Sequence, residues 1–110
     1  MPNLKIHVEE ALWHERGAAL RAALPEIRAL LCDRLSVPPG ACQLALIPVW
    51  GLDGQPQINA ELHILPRPER TPDLLRALAA DLRAEVARAA PAEVAVRIGQ
   101  LDPTTYIALK

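Results

Sequence analysis

Phenylalanine is absent from this 110-residue chain, and aromatic residues make up only 3% of it. Any core must therefore be built from Ala, Leu, Val and Ile, which dominate an apolar fraction of 51%. That composition suits packed helices and strands and excludes a disordered chain. Neither sign of charge is in excess: 12 basic against 13 acidic side chains leave a net charge of −1. A nucleic-acid partner would call for a basic footprint that is missing here. No apolar run approaches the ~20 residues that cross a bilayer, and the start has neither the basic region nor the apolar core of a signal peptide. The expectation is a cytoplasmic protein with no membrane partner. There are only two cysteines, Cys32 and Cys42, without zinc-type spacing. In that compartment they read as small buried hydrophobes rather than as a disulfide. No serine–histidine–acid set, phosphate loop or glycine fingerprint is present. His7 and His63 lack carboxylate or cysteine company at ligand spacing, so they read as satisfied sheet histidines and no metal is expected.

What is present is strong periodicity in a chain of one-domain length. Leu4, Ile6 and Val8 alternate with Lys5 and His7, the pattern of a half-buried strand. From about Leu12 to Leu35 the apolar residues Leu20, Leu24, Ile27, Leu31 and Leu35 recur at helical spacing, with Pro25 expected to kink the helix or split it in two. Cys42 to Trp50 reads as a strand buried on both faces, with Pro48 suited to an edge or bulge. Asp53-Gly54 signals a tight hairpin turn before a third strand at Ile58 to Leu65. Thr71-Pro72 is a cap followed by a proline at the first helical position, opening a helix to about Ala89. Val94, Val96 and Ile98 alternate in a fourth strand, and Thr104 to Leu109 suggests a short fifth.

The order is thus strand–helix–strand twice over. Leu20-Arg21-Ala22 echoes Leu75-Arg76-Ala77 at an offset of 55 (75 − 20), and Arg28-Ala29 echoes Arg83-Ala84 at the same offset. The reading is one domain over residues 1–110 made of two halves, about 1–52 and 53–110. Right-handed crossovers would put both helices on one face of a four-stranded sheet, an α+β fold of two βαβ units. The uncovered face, with its apolar second strand, calls for a partner, and a homo-oligomer packed face to face supplies one.

Chemistry points to the chain start. A proline at position two permits removal of Met1 and would leave Pro2 as a secondary amine. An α-amino group has a pKa of ~8, and burial or a nearby cation lowers it. Such an amine can take a proton from one carbon and return it to another. Glu9 and Glu10 would raise that pKa if they were close, so they read as a solvent-facing strand end.

Met1-Pro2 before a strand, the doubled βαβ, Arg70-Thr71 at the second helix, Trp50…Asp53-Gly54, and the ending Leu101-Asp102-Pro103-Thr104…Ala108-Leu109-Lys110 together resemble the tautomerase superfamily, most closely the 5-carboxymethyl-2-hydroxymuconate isomerases. The resemblance implies a trimer whose sheets form a central barrel, no cofactor, and keto-enol isomerisation of a small α-keto or enol carboxylic acid with Pro2 as general base and acid. It places Arg70 on a substrate carboxylate, with backbone amides near Ile64 and Leu65 at the developing oxyanion. Gln43 stands where the muconate isomerases align an arginine, so that contact is neutral and weaker than a bidentate arginine–carboxylate pair. Trp50 either stacks on a conjugated substrate or plugs the interior. Tyr106 is a donor to an enolate oxygen or a subunit contact, and Arg67 reads as a solvated loop charge. The competing readings are a non-catalytic protein on the same fold and a ferredoxin-like binding module. Strand pairing separates the latter, because the tautomerase arrangement makes the strands flanking each helix parallel neighbours.

Overall fold

The computed structural model describes residues 1–110. Its elements are β1 (Asn3–Glu9), α1 (Glu10–Leu35), a short 3-10 turn (Pro39–Ala41), β2 (Gln43–Val49), β3 (Ile58–Ile64), α2 (Pro72–Ala89) and β4 (Val94–Gln100). The sheet order is β2-β1-β3-β4. β1 pairs in parallel with β2, and β3 in parallel with β4, while β1 and β3 run antiparallel at the centre. The strands flanking each helix are direct neighbours, which excludes the ferredoxin-like arrangement and gives the α+β fold of two βαβ units.

Strand alternation sets the layers. Leu4, Ile6 and Val8 from β1 and Ile58, Ala60, Leu62 and Ile64 from β3 are fully buried. They meet Leu20, Ile27 and Leu31 of α1 and Leu78, Leu82 and Val86 of α2, also fully buried. Both helices therefore cover one face of the sheet. Thr71 caps α2 through its hydroxyl, which accepts from the Leu74 amide at 3.2 Å, with Pro72 in the first turn. The ion pair Arg34–Asp81, at 2.5 Å, joins α1 to α2.

Four expectations change. α1 begins at Glu10 and runs through Pro25 as one 26-residue helix, so it is not split in two there; it ends at Leu35 as expected, with Ser36 in the left-handed region at φ 55°. The turn at Asp53-Gly54 is real, with Gly54 at φ 85°, yet it joins no hairpin, because β1 lies between β2 and β3. β2 is an edge strand, half-exposed along most of its length rather than buried on both faces; the edge is where Pro48 is tolerated. Residues Thr104–Leu109 form a turn followed by a tail with no strand pairing.

The uncovered face is also more polar than β2 alone suggests. By register it carries Ala45, Lys5, Glu61 and Arg97 in one row and Ile47, His7, Asn59 and Ala95 in the next. Arg97 donates to Asn59, which donates to Glu61 at 3.0 Å. His7 departs from the satisfied histidine expected: its Nδ1 is buried without a hydrogen-bond partner. No helix is long and apolar enough to cross a membrane.

Candidate active site at the start of the central strand

Because β1 is central, its first residues are flanked on both sides. The Gln43 amide donates to the Pro2 carbonyl at 2.9 Å. Extending the β1–β2 and β1–β3 registers by one residue sets Pro2 between Cys42 and Ile64. Pro2 is buried, whereas Met1 ahead of it is 36% exposed. β3 and β4 end at this same edge of the sheet, where the Leu101 amide donates to the Ile64 carbonyl at 2.8 Å. Pro2, Gln43, Ile64, Leu65 and the start of the tail carrying Tyr106 thus come together. Trp50 does not: it follows the far end of β2 and is 81% exposed, and seven residues of strand put it roughly 20 Å or more from Pro2.

Arg70 is the most buried charge, only 5% exposed. Its Nη1 donates to the Leu65 carbonyl at 2.7 Å and its Nη2 to the Leu35 carbonyl at 3.2 Å. Leu35 ends α1, where unpaired carbonyls and the negative end of the helix dipole favour a cation. The guanidinium therefore ties the end of α1 to the end of β3. No carboxylate pairs with it, and its Nε is buried without a partner. The Ile64 and Leu65 carbonyls are both taken, by Leu101 and Arg70.

The amine at the chain start lies in a cationic field. Its pKa is held below the usual α-amino value, first by burial and then by Lys110, Arg70 and Arg67, with Cys42 opposing. Arg67, read from the sequence as a solvated loop charge, belongs to this field. Lys110 is a residue that sequence reasoning missed, since nothing local tells where an unpaired tail folds back. Arg28 was missed too. With Leu24, Pro25, Cys42, Gln43 and Leu44 it lines a cleft of about 320 Å³ between α1 and the start of β2, and it has no ion-pair partner. Its signal was there: Leu20, Leu24 and Arg28 are spaced by four, which sets a basic residue in line with an apolar stripe.

No group of three or more His, Cys, Asp and Glu side chains gathers anywhere in the chain. What the sheet end can do is keep the chain-terminal amine less readily protonated than a free one, under positive charge of the kind that attracts a carboxylate and stabilises negative charge developing on oxygen.

No protein-family model matches the chain, and no curated protein matches it. Solved structures do match in fold. A protein of unknown function from Vibrio cholerae superposes with a TM-score of 0.75 at 19% identity, over 97% of this chain and 83% of that one. A native fused 4-OT gives 0.74 at 19% identity, over 96% and 91%. Macrophage migration inhibitory factor of Toxoplasma gondii gives 0.71 at 15% identity, over 96% and 95%. The chain shares the tautomerase-like fold of the latter two.

The two carbonyl bonds of Arg70 give it a structural share that the sequence does not disclose. Arg70→Ala should lower unfolding stability by about 2–4 kcal/mol, because two carbonyls lose a charged donor, and the urea midpoint should fall accordingly. An unchanged midpoint would show that the guanidinium holds nothing together.

Proposed function

We propose that this protein is a keto-enol tautomerase acting on a small α-keto or enol carboxylic acid, with Pro2, freed of Met1, as general base and acid. The observation that carries the reading is the position of the chain start: Pro2 is buried at the head of the central strand, one residue from the Met1 amine, which feels the charges of Lys110, Arg70 and Arg67. Burial and like charge both disfavour the protonated amine, so the nitrogen is free to act as a base near neutral pH. It removes a proton from the carbon α to the carbonyl and, once protonated, delivers it to the vinylogous carbon. The same cations attract the substrate carboxylate and stabilise the enolate oxygen. Arg70 keeps unused donors beyond its two carbonyl bonds, and Gln43 adds a neutral contact beside Pro2. Tyr106 reaches this end of the sheet on the tail. Trp50 takes part only if it comes from a neighbouring copy. No cofactor enters the reaction.

Within this reading the protein is a cytoplasmic homotrimer of the muconate isomerase kind, with a place in the degradation of aromatic compounds. The half-exposed apolar edge strand β2 and the orphaned Nδ1 of His7 support an assembly that covers the open sheet face. A fused 4-OT of the same fold is a trimer. Sedimentation should give a trimer at micromolar concentration; a stable monomer would remove the oligomer from the account.

Intact mass should show Met1 removed. Pro2→Ala should still be processed and folded, and it should tautomerise phenylenolpyruvate or 2-hydroxymuconate at a steeply reduced rate, since its amine is primary and differently placed. Unaltered turnover by a processed Pro2→Ala protein would refute the mechanism. In the unmodified enzyme kcat/KM should rise with pH and level off above a pKa below ~8. Lys110→Gln removes a cation that opposes protonation, so it should move that midpoint upward, by less than about one pH unit for an exposed charge. Inactivity of both proteins would favour a non-catalytic role for the fold.

A further inference from the structure

Cys32 and Cys42 take no part in the proton transfer described above. They lie on different elements, late in α1 and just before β2, and their sulfurs are 3.5 Å apart. Both are free and half-buried. Cys42 lines the α1–β2 cleft beside Arg28 and Gln43, and by register it is the β2 neighbour of Pro2. The connector between them, Ser36–Ala41, is largely exposed. Two packed apolar residues would fill this space equally well; two thiols in contact add a reaction.

We propose that Cys32 and Cys42 form a dithiol modification site that closes to a disulfide on exposure to a low-molecular-weight disulfide, and that closure turns down the neighbouring amine site. The closure stands by itself, while its effect on turnover rests on the tautomerase reading. Burial and the hydrogen bond with Cys32 push the Cys42 thiol up to about 11, and either sulfur can be the donor in their 3.5 Å contact. Cys42, the thiol made harder to ionise, leaves the first attack to Cys32. Cys32 displaces one thiolate from the oxidant and forms a mixed disulfide. Cys42 loses its proton, attacks the Cys32 sulfur and expels the second thiolate. The two cysteines are oxidised by two electrons, and the external disulfide is reduced to two thiols.

Closure draws the start of β2 toward α1. That narrows the cleft between Arg28 and Gln43 and disturbs the Gln43–Pro2 hydrogen bond, which positions the proline.

The test is incubation of the full chain with glutathione disulfide, an acid quench and intact mass measurement. The expected product has lost two hydrogen atoms and titrates with no free thiol. Cys42→Ser should stop with one glutathionyl group attached at Cys32, and Cys32→Ser should react far more slowly. In the closed form hydrogen exchange at the Gln43 amide should quicken, and tautomerisation should fall severalfold and return with dithiothreitol. Two persisting free thiols, or a mixed disulfide that never closes in the unmodified chain, would overturn the site. A closed disulfide with unaltered Gln43 exchange would overturn its link to Pro2. Inactivity of the reduced protein would sink the tautomerase reading and leave the mass and exchange results to decide the dithiol.

Discussion

The position of β1 between β2 and β3 is the constraint on which everything else depends. An edge strand would leave its first residue in water on one side. As the central strand, β1 has the start of a parallel neighbour on one side and the end of an antiparallel neighbour on the other. The parallel pairing requires the α1 crossover, and the same crossover brings the end of α1 back to the sheet edge where Pro2 lies. The antiparallel pairing delivers the end of β3, the loop holding Arg67 and Arg70, and the tail leaving β4. One topological choice thus buries Pro2 and brings the charges of Arg67, Arg70 and Lys110 to bear on the chain-terminal amine.

Those cations have unequal duties. Arg70 neutralises the carbonyl end of α1 and fastens it to the end of β3, so removing it costs fold as well as field. Arg67 is exposed and Lys110 belongs to the tail, and both act on the amine through charge alone. A buried guanidinium without an anion is expensive unless something compensates. Here the two carbonyls compensate in part, and no carboxylate pairs with it.

Much of the fold was legible because one face of the sheet is buried, which forces period-two alternation in β1 and β3 and helical spacing in the covering helices. Thr71-Pro72 marked the start of α2 through cap chemistry that is local. The misreadings are all non-local. Asp53-Gly54 has the residues of a hairpin, but turn chemistry says nothing about a third strand entering between its arms. β2 is apolar enough for a buried strand, yet its position at the edge is set by strand order. Pro25 lacks an amide hydrogen, and of the kink or split this allows, the structure excludes the split. At the site, Pro2 could be singled out by position alone. The grip of Arg70 on Leu35 spans half a helical layer, and the return of Lys110 depends on a tail without regular structure, so neither leaves a sequence pattern.

The central claim is that the nitrogen of Pro2, once Met1 is gone, is a base at neutral pH because this end of the sheet is dry and cationic. The most direct measurement is an NMR titration of the protein labelled with ¹⁵N-proline, following the Pro2 nitrogen against pH. The account predicts a processed chain whose Pro2 nitrogen titrates well below the ~8 of a free α-amino group. A retained Met1, or a Pro2 nitrogen that titrates at or above that value, would contradict it.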